Sequence, residues 1–470
     1  MLDPFIEAHE LREMLRRCEI RPREVAEFFI NRIERVNPRL GAFVTVTADR
    51  AMEDADRLER LSKTEADATA LFGIPYSIKD LTWTRGIRTT MGSRAFADFI
   101  PPADAALVTR LRDAGGILLG KTSTPEFGAR PTTEGGFCPT ARNPWNRDYT
   151  AGGSSGGAAG AAAAGLGPLH QGSDGGGSIR IPAACCGVVG IKTARGRISY
   201  FPTNGEGWGG CSVTGPMARS VRDAAWMLDI IAGPVIGDPY CAPPPERPFV
   251  EALKARPKKL RLAALAQTPF SDIDRDTLLA FESACGEFRS MGHSVEDFDP
   301  GLDRLVEPVG IVAVAGIGAN NVGNPDLIEP VTRGTWKAGH AIPAAMYLQA
   351  QVRMHNLSRE IVQALAPYDG LLTPTLTRPA VALGTMPSAD PWKTDKLGRP
   401  VHEIYTWTAF CFPFNATGQP AISVPMGFSK AGLPLGLQIV GRPADEFGII
   451  AIATAFEEAR PWRDKRPAVD

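Results

Sequence analysis

Apolar residues in the first forty positions recur at three- and four-residue spacing among charges: Leu11, Met14 and Leu15, then Val25, Phe28, Phe29 and Ile33. That period predicts amphipathic helices. Residues 51–61 repeat it. Residues 74–78 and 116–120 are short apolar runs of strand length, with helical spacing between them at 105–114. The alanine-rich stretch 158–166 predicts a further helix. Strand and helix signals alternating over this length predict an α/β fold whose central sheet is covered by helices on both faces.

The middle of the chain, 235–324, carries more proline and charge, with a loop signal at Pro243-Pro244-Pro245. A helical hairpin is expected next, with Leu278, Phe281 and Phe288 inward. Another helix is expected through Met346, Leu348, Val352, Leu357 and Ile361. A strand at 370–374 returns the chain to the core, and 412–440 alternates apolar and turn residues. No internal repeat or clear linker divides the sequence. It reads as one domain over 1–470: N-terminal helices at 1–65, a core at 66–232, a variable helical region at 233–365 and a C-terminal return at 366–470.

Charge and cysteine content narrow the function classes. The formal net charge is −1, so no basic field invites nucleic acid or an anionic membrane. No apolar run approaches the roughly 20 residues that span a bilayer. The first residues lack the basic and apolar regions of a signal peptide. Eight scattered cysteines without a CxxC pair read as reduced, buried side chains of a cytoplasmic protein. The N-terminal helices could form a homodimer surface.

Candidate chemistry sits in glycine-rich segments. Gly152-Gly153-Ser154-Ser155-Gly156-Gly157 and Gly175-Gly176-Gly177-Ser178 flank the alanine-rich helix. Glycines let consecutive N–H groups point to one spot, and a helix starting there adds free amides. That is the outline of an oxyanion hole, although Ser178 also reads as a helix N-cap. Lys79 ends an apolar strand, where burial would lower its pKa and make it a usable base near neutral pH. It could equally pair with Asp80 or reach the surface. The first serine pair reads as a flexible turn, or as a hydroxyl placed between Lys79 and Ser178. Six histidines are present, none in HExxH spacing, and no GxSxG surrounds either serine. His170 lies near the loops but is not expected to act. Gly115–Thr122 fits the pattern GxxxxGK[ST], yet Ile117-Leu118-Leu119 reads as a buried strand rather than a phosphate loop. Phe410, Phe412 and Phe414 could line an apolar cleft or be plain core.

These pieces, in this order, resemble the amidase signature family. Gly73-Ile74-Pro75-Tyr76-Ser77-Ile78-Lys79-Asp80, the stretch 151–190, Gly215–Ser220 and Phe414–Ala421 carry the likeness. The resemblance implies a central mixed, twisted sheet. It implies Ser178 as nucleophile, Ser154 as a bridging serine after a cis peptide, and Lys79 as neutral base. Amides of Gly175, Gly176, Gly177 and Ser178 would form the oxyanion hole, with Ser155, Asp174 and Arg180 in support. No cofactor and no metal are implied. Residues 141–146 and 237–243 resemble the 6-aminohexanoate cyclic-dimer hydrolase branch, and urethane-cleaving amidases are similar. Ala129 stands where that hydrolase carries asparagine, so Gly128 and Ala129 are expected beside the substrate cleft. Cys185 and Thr193-Ala194 also depart from the usual residues. The implied reaction cleaves C–N bonds of small linear, apolar or aryl amides, carbamates and esters. The alternative is an amidotransferase component that makes ammonia from glutamine with partner subunits.

Overall fold

In a computed structural model that describes residues 2–388 and 391–469, the N-terminal spacing folds as helices Ala8–Arg16, Pro22–Leu40 and Ala48–Glu59. Leu11, Leu15, Val25, Phe29 and Ile33 are buried on their inner faces. Eleven strands then form one sheet. From edge to edge they are Phe43–Val46, Ile117–Thr122, Pro75–Lys79, Leu169–Asp174, Val213–Ala218, Val189–Lys192, Ala421–Phe428, Pro434–Val440, Gly370–Pro374, Arg261–Ala264 and Ser294–Asp297. Parallel pairs lie toward both ends and antiparallel pairs join them, so the sheet is mixed as expected. Successive residues of a strand face opposite sides, and every residue of Ile117–Thr122, Val213–Ala218 and Pro434–Val440 is buried. Both faces of the sheet are therefore covered.

The helix Gly156–Ala163 runs against this sheet with all eight residues buried. A methyl group on Gly157 would fall 2.4 Å from the Ser123 amide nitrogen, so glycine sets how closely the helix approaches. Lys121 lies in the buried Ile117–Thr122 strand, as its apolar neighbours predicted. It donates to the Thr82 carbonyl (2.6 Å), Thr89 Oγ1 (2.8 Å) and Thr84 Oγ1 (3.1 Å). That lysine is committed to the scaffold, not to a phosphate loop.

Several expectations need correction. The helical hairpin around Leu278 is instead a β-α-β unit: Arg261–Ala264 and Ser294–Asp297 pair in parallel, joined by helix Arg275–Ser290. Both strands are four residues long and carry charge at their ends, too short for a periodic signal. Phe281 and Phe288 are buried as expected, whereas Leu278 is half-buried. In helix Ala344–Leu365 the inward stripe is Ala350, Met354, Ser358, Ile361 and Leu365. Met346, Leu348 and Val352 are 47%, 58% and 60% exposed, because their spacing does not follow one helical face. All eight cysteines are free, but Cys18 and Cys241 are exposed rather than buried. Among the described residues, no helix is long and apolar enough to cross a membrane.

Candidate active site

Lys79 ends the strand Pro75–Lys79, and Ser173-Asp174 end its parallel neighbour Leu169–Asp174. Carboxyl ends of adjacent parallel strands are where open α/β sheets gather functional groups. The Lys79 side chain is fully buried, with its Nζ 2.7 Å from Ser154 Oγ, 2.9 Å from Ser155 Oγ and 2.9 Å from Ser173 Oγ. Burial pulls its pKa down to about 7 against the opposing charge of Asp174. Asp80 is no partner of Lys79. It turns to the Thr90 amide and hydroxyl and lies 4.0 Å from Lys121. The backbone N–H of Lys79 donates to Gln171 Oε1 (3.0 Å), which fixes the strand end where the lysine emerges.

The hydroxyls around Lys79 differ in the protons they have left to give. Ser155 donates its proton to the Ser173 carbonyl (3.2 Å), so toward Lys79 it can only accept. A neutral amine has two protons to donate and one lone pair. Ser155 takes one of those protons, and Ser154 is free to donate its own hydroxyl to the lone pair. The Gly153–Ser154 peptide is cis. The Ser155 amide donates to the Ser178 carbonyl at 3.1 Å, tying the two serine turns together.

The turn 175–178 is held from behind by an ion pair with no exposure to solvent. Asp174 accepts from Arg180 Nε and Nη2 at 2.9 Å each, from the Gly177 amide at 2.7 Å and from the Ile179 amide at 3.2 Å. Arg180 gives its remaining protons to the Cys411 carbonyl (2.8 Å), Gln438 Oε1 (2.7 Å) and Asn415 Oδ1 (2.7 Å), so all five are used. Burial by itself would raise the Asp174 carboxyl, but the Arg180 charge and hydrogen bonds hold it well below the ordinary carboxylate range. The Gly177 amide is thus committed to Asp174 and does not face a substrate oxygen, unlike the expectation from its neighbours. Ser178 is not the helix cap: helix Arg180–Cys186 starts from Ile179, without a side-chain cap. His170 is buried between Ser77 Oγ (2.7 Å) and the Gly167 carbonyl (2.9 Å), and burial lowers its pKa to about 4. It belongs to the core.

Ser154, Ser173, Gly175 and Ser178 open onto one cavity of about 870 Å³. Trp83, Phe96, Phe99 and Phe127 line one part of it. Phe410, Phe412 and Phe414 do not; they are packed in the interior, and Phe412 makes edge and tilted contacts with Tyr405 and Phe270. Of the two expected cleft residues, Gly128 lines the cavity and Ala129 does not, being half-buried with its amide on the Glu126 carbonyl. Gly128 has φ +67°, and an added methyl would lie 3.1 Å from Ser154 Oγ and 2.9 Å from Leu81 Cδ1. Gly128→Ala is expected to lower kcat about tenfold by displacing the Ser154 hydroxyl. It should also lower stability by about 1–2 kcal/mol from left-handed strain. Initial rates and thermal unfolding measure the two effects, and an unchanged rate would detach Gly128 from the site.

Sequence reasoning missed Ser173, the third hydroxyl on Lys79. Its position just before Asp174, on the strand parallel to that of Lys79, was the available signal. It also missed Gln171, and Gln438 as a partner of Arg180. Asn415 lies in a segment noted above, but its part in this network was not foreseen. Its Nδ2 donates to the Asp174 carbonyl (2.8 Å) and Oδ1 (2.9 Å) and to the Cys211 carbonyl (3.0 Å).

Known proteins resemble this chain along nearly its whole length. The Amidase family matches residues 24–450. An acylamidase of Rhodococcus erythropolis is 34% identical over 99% of this chain and 97% of its own. One glutamyl-tRNA(Gln) amidotransferase component, from Geotalea daltonii (strain DSM 22248 / JCM 15807 / FRC-32), is 33% identical over 98% of each. The structure of 6-aminohexanoate cyclic dimer hydrolase complexed with substrate matches with a TM-score of 0.92 at 32% identity, covering 100% of both chains. Identity above 30% along nearly the whole chain and a family match from residue 24 to 450 lead to one assignment: the protein belongs to the amidase signature family and is a hydrolase acting on carbon–nitrogen bonds.

Proposed function

We propose that the protein is a stand-alone serine amidohydrolase that cleaves small aryl or apolar amides, and carbamates of the same shape, through an acyl-enzyme on Ser178. The observation that carries this reading is a buried lysine, pKa about 7, against the Ser154 hydroxyl beside a glycine turn that ends in Ser178. Ser178 Oγ attacks the carbonyl carbon and passes its proton to Ser154 Oγ, whose own proton moves to Lys79 Nζ. The amides of Gly175, Gly176 and Ser178 meet the developing oxyanion. As the C–N bond breaks, Ser154 returns a proton to the leaving nitrogen and regains one from Lys79. Water then enters by the same relay in reverse and frees the acid. With a carbamate, the acyl group is a carbonate ester that decomposes to alcohol and carbon dioxide after hydrolysis. The aromatic part of the cavity favours aryl substrates.

Glutamine fits less well. Its α-carboxylate would need a cation, and the described residues lining the cavity include no lysine or arginine. A fluorophosphonate tests the reading. Intact mass should rise by one adduct, and peptide mapping should place it on Ser178. An adduct on Ser154, or none, would overturn the assignment of roles.

A further inference from the structure

We infer that the cavity has a second recognition arm, around Glu206, that takes an ammonium group carried on the acyl chain of the substrate. This rests on the reading of Ser178 and deepens it by naming the substrate class: amides with a cation remote from the scissile carbonyl. Glu206 is the only carboxylate, and the only charged side chain, among the described residues that line the cavity. It is exposed, and forms no ion pair or hydrogen bond with another described residue. The surrounding wall offers acceptors and ring faces: Asn320, Tyr200, Trp208 and Tyr347. Asn320 turns its Nδ2 into its own helix, onto the Ile317 carbonyl at 2.8 Å, which leaves Oδ1 as its uncommitted group. A carboxylate with amide oxygens and aromatic faces is the chemistry that binds ammonium.

The loop bearing Glu206 is fixed against the catalytic turn. Trp208 sits at φ +53°, a conformation that a bulky side chain adopts only when packing imposes it. Its ring lies between two glycines. A methyl on Gly175 would fall 2.9 Å from Trp208 Cε3, and one on Gly316 would fall 2.5 Å from Cδ1. Gly209 is equally confined, with a methyl there falling 3.2 Å from the Tyr347 hydroxyl. Glu206 thus stands two residues from a ring seated against Gly175, and it lines the same cavity as Ser178.

The test compares p-nitroanilides of ω-amino acids with methyl-terminated acyl p-nitroanilides of equal length, at low salt and above pH 7. Wild type should prefer the ammonium substrate by roughly five-fold in kcat/KM, the scale of an exposed ion pair, with the preference shrinking as salt is added. Glu206→Gln should bring that ratio to about one, and Glu206→Lys should turn the preference toward carboxylate-terminated chains. The ratio is internal to each preparation, so partial unfolding does not move it. Equal rates for both substrates in wild type, or a preference that survives in Glu206→Gln, would overturn the inference. Turnover that persists in Ser178→Ala would instead overturn the reading on which it rests.

Discussion

Ser178→Ala is expected to abolish p-nitroanilide turnover, on the order of a million-fold in kcat, the scale of losing the nucleophile from a hydroxyl relay. The fold should survive. Ser178 caps no helix, and the Asp174–Arg180 pair that holds the turn involves backbone amides of Gly177 and Ile179, which alanine at 178 leaves in place. Release of p-nitroaniline, read beside an unchanged thermal transition, measures this. A kcat within tenfold of wild type would remove Ser178 from the chemistry.

Lys79→Met is expected to lower kcat by about a hundred- to ten-thousand-fold, the usual worth of a positioned general base. The wild-type rate should show the same group. Burial sets the Lys79 pKa at about 7, and only the neutral amine can take the Ser154 proton. Activity should therefore be full above about 7 and fall about tenfold per pH unit below it, and the methionine variant should lose that limb. Stability of the variant should move the other way. Between about 7 and the ordinary lysine range, the unfolded chain binds a proton that the folded chain does not, so the wild type gains stability as pH rises through that window. Lys79→Met removes that slope and should unfold at higher urea than wild type at neutral pH. A variant that is both inactive and markedly less stable would make Lys79 a scaffold residue instead.

Much of this was legible because its signals were local. The strand ending in Lys79 and the glycine-serine turns are contiguous in sequence, and each carries its conformational requirement in its own residues. The β-α-β unit at 261–297 was not legible, since four-residue strands with charged ends leave no period to read. Which phenylalanines line the cavity was left open for a different reason. Phe410, Phe412 and Phe414 are as apolar as Phe96 and Phe127, and composition cannot say which ring faces a void. Ser173 lies in the stretch 151–190 beside Asp174, but only the pairing of two parallel strands brings its hydroxyl to Lys79. The commitment of the Gly177 amide depended on where the Asp174 carboxylate folds back, which no spacing encodes.

The partners of Arg180 have a consequence for how the protein is made. Lys79, Ser154, Ser173 and Ser178 leave the ribosome ahead of Cys411, Asn415 and Gln438, which follow Ser178 by more than two hundred residues. At about 5–20 residues per second, tens of seconds separate the two groups. Throughout that interval, burying the arginine and aspartate would leave them with an incomplete set of partners, at a cost of several kcal/mol. The nucleophile turn therefore cannot settle early. A ribosome-bound chain that stops short of Cys411 should be catalytically silent even with Lys79, Ser154 and Ser178 already translated.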